Sequence, residues 1–526
     1  MGICRQRRGE KIIQNNLKES DKKTLEVIST ISNSNVDNYR QILDSFKVKV
    51  IIPEKLNLDD DISETCYIVL NLLPRFLKMV KLDGDSSILQ RFPLSHSSKI
   101  NIGTDDWKPD ITIVLGNEEK DGNSIYVGSS GWSIYISTKE PCKWNTSKNK
   151  ISAIYAGALA VGEVFKEFVN KVVPEIETIE KISHLEYDLV THGKDKQPVT
   201  FPKLPEFIDI ESTLLAGCGA VGQAICYCLS KSGKLIGEIE LVDHDVMDPS
   251  NEQRYLFGFE ENRINPKTKG PMLKVDVAQS ILKESGLSLR IQSLAMQYEI
   301  LAILGTSDHR KKNVIAALDK VRPRLLLQAS LPKTLWNVWT DTEKNMLSYG
   351  IGKHSIDGPY ECLACEYFPK ITDISEIELI ASRTGFGVEQ VKKRIETNNI
   401  VTSEDVVTIS QNRKLSPTET AQLNKVIGKT FNDLIHGNCG IFQLNVNEEN
   451  APTPAPHVPV LAAVQLTTQF ILSKIGQSDA TIKSVGEFNA LRWPDNNSIF
   501  VKLKRNDCIC SDSDYVKVFK EKWKLS

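Results

Sequence analysis

The sequence predicts an α/β protein: a doubly wound parallel sheet in the second half of the chain, preceded by a separate α/β region. Three observations predict it. Apolar runs of strand length at 207–216, 237–243 (GEIELVD) and 311–319 (KKNVIAALD) alternate with helical patterns, the rhythm of a parallel sheet with crossover helices. A glycine-rich turn, LLAGCGAVG, follows the first run and opens a helix. An acid, Asp243, then ends the next strand at the spacing where such sheets receive a ribose.

The totals fit this class. The chain has 526 residues, 40% hydrophobic and 25% charged, enough for two or three domains of ordinary composition. A formal net charge of −2 gives no global field for nucleic acid or an anionic membrane. No run approaches the roughly 18 uninterrupted apolar residues of a membrane span, and MGICRQRRGEK lacks the apolar core of a secretory signal. Gly2 is not in a myristoylation motif, because Gln6 stands where Ser or Thr is needed. Eleven cysteines scattered through a long chain point to reduced thiols, metal ligation or catalysis in a cytoplasm.

In chain order, residues 1–200 mix strand and helix patterns. PDITIVLGN (109–117) reads as a buried strand, and SIYVGSSGWSIYIST (124–138) as two strands about a Gly-Ser turn. The small-residue run 151–173 reads as a core helix. This region shows no phosphate loop and no acid, base or metal constellation, so it reads as structural. A polar, proline-bearing linker over 192–206 leads to the sheet of 205–365, where RLLLQASL (324–331) reads as a further strand. Residues 366–450 read as a mostly helical insertion. Within it 416–435 opens with Ser416 as N-cap, Pro417 at the first helical position and Glu419 closing a capping box. A proline-rich crossover (447–460) and an apolar helix (459–475) begin the last part, 451–526, which returns to the sheet.

The glycines carry the first chemistry. In G-x-G-x-x-G, Gly217 permits the tight turn, Gly219 lets a phosphate approach the backbone, and Gly222 lets the helix pack on the strand. That much fits either a dinucleotide or ATP. The stretch LVDHDVMDPSNEQRYLF favours the triphosphate, since it sets Asn251 and Arg254 soon after Asp243 and Asp245. Arg254 can bind phosphate oxygens bidentately, with Asn251 donating beside it, and Lys274 supplies a compact second cation. Asp319, at the end of its strand, suits Mg²⁺ at the carboxyl edge where ligands of such sheets bind.

The series GCGAVG, DHDVMDPSNEQR, PMLK and ALDKVRPR resembles the adenylation domain of ubiquitin-activating-type enzymes, the superfamily that includes the ThiF, MoeB and HesA adenylyltransferases. The resemblance covers about 205–365 strongly and the C-terminal part more loosely. It implies a Rossmann-like domain that binds ATP and Mg²⁺ at the sheet edge, where a protein C-terminus attacks the α-phosphate to give an acyl-adenylate and pyrophosphate. Carried over by position, Asp243 holds the ribose and Arg254 and Lys274 neutralise the phosphates. Asn251 steadies the phosphate-binding turn, Asp319 binds Mg²⁺, and Asp245 completes the acidic pair. The N-terminal region, by the same resemblance, is a degenerate copy of the adenylation domain.

Two cysteine features follow. Cys362 and Cys365 in ECLAC, with Cys508 and Cys510 in RNDCICSD, offer four thiolates for a tetrahedral Zn²⁺ site, the second pair being C-x-C rather than C-x-x-C. Cys439, in DLIHGNCGIF, lies where relatives place the cysteine that takes the carrier as a thioester, although the preceding helix C-terminus disfavours a thiolate there. The implied partners are a ubiquitin-like protein and a ubiquitin-conjugating-like enzyme, with a homodimer expected if the N-terminal half does not complete the core. The N-terminal region further resembles that of activating-enzyme-like proteins from bacterial antiphage operons. Two other functions stay open: a sulfur-carrier or peptide adenylyltransferase that stops at the adenylate, and a non-catalytic scaffold that binds nucleotide or a ubiquitin-like protein.

Overall fold

A computed structural model describes residues 39–103, 108–173, 179–193, 202–284, 288–294, 311–341, 347–367, 380–381, 384–397, 399–424, 427–428, 454–477 and 482–525, together with Thr24, Val27 and Ile28. The chain divides into two compact units, residues 1–367 with 452–526, and residues 368–451.

The larger unit contains two sheets built to one plan. The first comprises β1 (Lys47–Ile51), β2 (Met79–Asp83), β3 (Ile100–Ile102), β4 (Ile111–Leu115), β5 (Ser124–Ser130), β6 (Ser133–Ser137) and β7 (His184–Asp188), in the order β3-β2-β1-β4-β5-β6-β7. Its pairs are parallel from β3 to β5 and antiparallel from β5 to β7. The second comprises β8 (Ile208–Ala216), β9 (Leu235–Val242), β10 (Ser288–Leu294), β11 (Asn313–Ala316), β12 (Thr334–Asp341), β13 (Ser348–His354), β14 (Val485–Asn489) and β15 (Ile499–Phe500). Its order is β10-β9-β8-β11-β12-β13-β14-β15, parallel up to β12 and antiparallel beyond. The strand order and the switch of direction are therefore repeated within one chain. The central parallel strands read as near-continuous apolar runs because they are covered on both faces, as in β4 and β11, whose residues are all buried.

One assignment from sequence is corrected here. Residues 324–329 are helical, within Val321–Ala329, residues 330–331 lie just past its end, and the strand after β11 is Thr334–Asp341. The reason is topological: β11 and β12 are parallel, and parallel neighbours need a crossover between them, which this helix supplies.

The helices that matter to the site are α1 (Asp61–Leu72), α2 (Ile151–Val172), α3 (Ala220–Ser230), α4 (Lys274–Glu284), α5 (Val321–Ala329) and α6 (Val458–Lys474). A single cluster of buried apolar side chains runs from Val48 and Ile113 through Phe165 to Ile239 and Phe470, so the two sheets share one core. Helix α6 is buried along nearly its whole length and joins both halves by polar contacts. Gln465 Nε2 donates to Tyr155 Oη (3.0 Å) and Tyr187 Oη (3.1 Å), and Gln469 meets His192 Nε2 at 2.9 Å. No described helix is long and apolar enough to cross a membrane.

The smaller unit contains helices Val388–Glu396, Ser403–Arg413 and Pro417–Leu423, packed on Ile380, Val391, Val401, Ile409 and Leu423. Thr402 caps its second helix, and Arg394 pairs with Asp405 at 2.7 Å. The helix expected over 416–435 is described only as Pro417–Leu423, and residues 429–435 lie outside the described residues.

A buried ion cluster closes the contact between the halves. Glu64 of α1 pairs with Arg91 (3.1 Å) and Lys231 (3.4 Å) and accepts from Tyr227 Oη of α3. Burial works to raise the Glu64 carboxyl, but Arg91, Lys231 and Tyr227 outweigh it and hold the group below its ordinary 4.5. Such a carboxylate contributes stability above the unfolded value and loses it as pH falls through the folded one. Glu64→Gln, which leaves Arg91 without its counter-charge, should cost about 3 kcal/mol at neutral pH. Urea titrations should show the gap to wild type narrowing as pH falls below the ordinary carboxylate range, where the wild type gives up the same charge.

Candidate nucleotide site and cysteine knuckle

The glycine turn joins β8 to α3. Gly217 has φ +96°, and a Cβ there would lie 2.2 Å from the Ala317 carbonyl oxygen, so only glycine lets this turn meet the exit of β11. A Cβ on Gly222 would lie 2.0 Å from the Gly217 oxygen, which fixes the close seat of α3 on the strand. Gly219 is the N-cap of α3 and has room: the nearest atom to a Cβ there is Tyr255 Oη at 3.3 Å. No side chain caps this helix, so its first N–H groups and the positive end of its dipole are available to an anion.

Asp243 lies beneath the turn and is only 3% exposed. Its Oδ2 accepts from the Cys218 N–H at 2.7 Å and its Oδ1 from the Asp245 N–H at 2.9 Å. Burial raises the Asp243 carboxyl, while Lys274 and the two backbone donors pull it back. Asp245 is more open and pairs with Lys274 Nζ at 2.6 Å. Burial opposes the Lys274 charge, yet Tyr255, Asp243 and Asp245 together hold its ammonium above its ordinary range. Lys274 is therefore a fixed cation at the first residue of α4.

The turn that follows is a short 3₁₀ helix, Pro249–Gln253. Asp248 caps it by accepting from the Ser250 N–H (2.8 Å), and Asn251 Oδ1 accepts from the Asp248 N–H (2.9 Å), a reciprocal box that makes the turn rigid. Arg254 ends it. Its Nη1 is buried without a hydrogen-bond partner among the described residues. Its Cζ lies 5.5 Å from the Tyr255 ring centroid, and Lys274 Nζ lies 5.6 Å from the same centroid. Asp319 is exposed just past β11, beside Leu318, whose Cδ2 is 3.2 Å from the Cβ position of Gly217. The glycine turn, Asp243, Asp245, Asn251, Arg254 and Lys274 thus adjoin one another through these contacts, and Asp319 stands at the same strand-end edge.

The four cysteines also converge. Cys362 opens the one-turn helix Leu363–Glu366, and Cys508 opens the 3₁₀ turn Ile509–Ser511. The Sγ atoms are 3.8 Å apart for Cys362–Cys365, 3.7 Å for Cys362–Cys508 and 3.5 Å for Cys365–Cys510. Tetrahedral ligands at zinc-like bond lengths of about 2.3 Å sit about 3.8 Å from one another. All four are buried and lie close enough together to hold one metal ion, so the C-x-C spacing is compatible with convergence.

Residues 206–373 match the family model of the ThiF family. This segment is a ThiF-family domain. Residues 94–175 match the BilD N-terminal domain. An uncharacterized protein, y4jF of Sinorhizobium fredii, is 26% identical over 464 residues, 85% of each chain. Among solved structures, Escherichia coli MccB gives a TM-score of 0.31 at 13% identity, covering 57% of this chain and 66% of its own. Selenomethionine PaaA gives 0.29 at 14% identity, covering 56% and 72%. The chain thus spans about two thirds of the MccB chain.

Three residues in or against the ThiF domain went unremarked in the sequence. Tyr255, next to Arg254, underlies both cations. Arg324 of α5 is buried and donates to the Leu318 carbonyl beside Asp319, to Asn337 Oδ1 and to the Val338 carbonyl (3.0 Å). Arg75, from the N-terminal half, reaches the backbone on both sides of Arg254. Tyr255 and Arg324 sit within or just beyond the quoted motifs, which was the signal available for them. Cys439 lies outside the described residues. Of the other described cysteines, burial pushes Cys66, Cys142 and Cys226 up to about 12 and raises Cys218 and Cys228 as well, so none of these is an activated thiol.

The glycines make opposite predictions. Gly222→Ala drives a methyl into a backbone oxygen and should lose more than about 4 kcal/mol, whereas Gly219→Ala should stay within about 1 kcal/mol of wild type. Thermal denaturation separates them, and similar melting of the two variants would show that the turn relaxes.

Proposed function

We propose that the protein activates the C-terminus of a ubiquitin-like protein by ATP-dependent adenylation, then takes it as a thioester and passes it to a conjugating-type enzyme. The observation that carries the reading is the buried Arg254 nitrogen without a hydrogen-bond partner among the described residues, set beside the fixed Lys274 cation and the uncapped N-terminus of α3. A nicotinamide cofactor needs no second and third positive group here, but a triphosphate does. The ThiF-family match over 206–373 supports adenylyltransferase chemistry in the same segment. A role in antiphage defence is a further part of this proposal, resting on the N-terminal resemblance alone.

In the proposed reaction the carrier carboxylate attacks the α-phosphate of ATP, and pyrophosphate leaves. Arg254 and Lys274 hold the phosphates and offset the charge that develops on the leaving pyrophosphate. Asn251 keeps the turn beneath Arg254 fixed, and Asp243 holds the glycine loop through Cys218, beneath the face where the ribose would lie. Asp319 fits Mg²⁺, because its exposed carboxylate meets the common case of one or two carboxylates plus substrate phosphates. Magnesium would supply charge neutralisation between the phosphates. Cys439 would then displace AMP, its thiolate forming the thioester.

With the carrier present, exchange of labelled pyrophosphate into ATP should fall by at least about a hundredfold in Lys274→Ala, as for loss of one preorganised charge. Exchange that persists would remove Lys274 from the chemistry. A carrier adduct cleaved by thiol reductant should form and vanish in Cys439→Ala. Its survival there would move the nucleophile elsewhere. Exchange without any adduct would make the chain an adenylyltransferase that stops at the adenylate.

We also assign the cysteine knuckle to zinc. Elemental analysis should find about one zinc per chain, reduced in Cys508→Ser, and a chelator should lower the melting temperature of the wild type. Less than about half a zinc per chain in protein purified without chelator would count against the site.

A further inference from the structure

We propose that Arg75, assisted by Asn71, is a positioning residue through which the N-terminal half sets the phosphate-binding arginine of the other half. The inference rests on the nucleotide reading above and goes beyond it by giving the N-terminal half a part in the site.

Arg75 ends the turn Leu73–Arg75 after α1, and its guanidinium bridges Asn71 of α1, to whose Oδ1 Nε and Nη2 donate, and the loop that carries Arg254. Nη1 donates to the Glu252 carbonyl and Nη2 to the Leu256 carbonyl at 3.0 Å. Those carbonyls lie two residues before and two residues after Arg254. Nε donates back to the Asn71 carbonyl at 2.9 Å, and Asn71 Nδ2 donates to the same Leu256 carbonyl at 3.1 Å. Arg75 is 2% exposed and Asn71 is fully buried. Two outer contacts reinforce the grip: Glu252 pairs with Lys99 of the N-terminal half and with Arg263 at 2.7 Å, and the Ser95 N–H donates to Glu261 at 2.8 Å.

Packing alone does not require this arrangement. A buried guanidinium that faces carbonyls is expensive compared with an apolar side chain of the same volume. What the fork does that an apolar group cannot is fix two carbonyls four residues apart in one plane. The carbonyls need partners in any case, since a short helical turn leaves its last acceptors unsatisfied. With both held, the backbone from Gln253 to Tyr255 has little freedom, and Arg254 keeps its place although its Nη1 has no hydrogen-bond partner among the described residues. That matters because a displacement of about 1 Å in a positioning group costs up to about a hundredfold in rate.

The test compares a ligand that uses Arg254 with one that does not. Displacement of a fluorescent ATP analogue from the full chain is measured with Mg·ATP and with adenosine. Arg75→Gln should weaken ATP about tenfold and leave adenosine within about twofold, with Arg75→Lys between wild type and Arg75→Gln. Lys99→Met, at the half-exposed rim and not expected to disturb folding, should weaken ATP about threefold. It decides the matter if Arg75→Gln does not fold. Unchanged ATP affinity in a folded Arg75→Gln, or in Lys99→Met when that variant alone is available, overturns the inference, and so does an equal loss for ATP and adenosine. Wild-type protein that displaces the analogue with neither ligand overturns the nucleotide reading and this inference together.

Discussion

A buried guanidinium nitrogen without a hydrogen-bond partner is an expensive thing to fold, costing about 1–3 kcal/mol and more for a charged group. Among the described residues Arg254 presents one, and much of the surrounding structure makes sense as what keeps it there. The Asp248–Asn251 box stiffens the turn before it, and Tyr255 lies against both it and Lys274. Asp245 and Asp243 hold Lys274 charged at one side. Left to itself the loop would relax to bury or pair the arginine, and a polyanion arriving later would have to undo that. Preorganisation places the cost in folding, so that it does not fall on binding.

The duplication of the sheet shows the same constraint by contrast. Both halves follow the strand order 3-2-1-4-5 and then turn antiparallel. The helices after their first strands share the pair Cys66-Tyr67 and Cys226-Tyr227, whose tyrosine rings lie 5.6 Å apart. After the second strands, Asp83, Asp85 and Gln90-Arg91-Phe92 echo Asp243, Asp245 and Gln253-Arg254-Tyr255. The copies differ where charge is concerned. In the N-terminal half IIPEKLN stands in place of the glycine turn, and Arg91 is neutralised by the buried Glu64 and lies over Tyr67 at 4.3 Å. An arginine already paired with a carboxylate has little left to offer a phosphate. Arg91 is committed to the interface through Glu64, whereas Arg254 keeps one buried nitrogen without a hydrogen-bond partner among the described residues.

This division explains what could be read from the sequence. The glycines, Asp243, Asn251, Arg254 and Lys274 were legible because their order along the chain is itself the local geometry of strand, turn and helix. Arg75 was not, because its partner carbonyl at Leu256 is 181 residues away and nothing in LLPRF marks the arginine as buried. The resemblance led to an expected degenerate N-terminal copy, but its residue-level echo was not readable because that copy lacks the glycines and three intervening residues, and the glycines were the landmark. The misreading of 324–331 has a different cause. Three consecutive leucines look like strand, but a strand there would leave no room for a crossover before a parallel neighbour. Topology overrode composition, and the alternating TLWNVWTD that forms β12 carried the weaker apolar signal.

The cysteine knuckle reaches the same edge of the sheet by a continuous path. Immediately after Cys365, the carboxylate of Glu366 and the hydroxyl of Tyr367 accept from Asn337 Nδ2 at 3.2 and 3.0 Å. Asn337 Oδ1 accepts from Arg324, whose other nitrogen holds the Leu318 carbonyl next to Asp319. His354 adds a contact to Glu366 at 3.0 Å. Arg324, Asn337, Glu366 and Tyr367 are polar, buried or nearly so, and bonded one to the next, so displacing any one exposes its neighbour to the cost of an unmade bond. A zinc ion held as proposed by Cys362, Cys365, Cys508 and Cys510 would therefore anchor more than the segment of the last two. It would fix the frame from which Arg324 holds the end of β11, while Arg75 holds the loop of Arg254. The two arginines do not face the ligand edge themselves; each grips backbone carbonyls beside a residue that does.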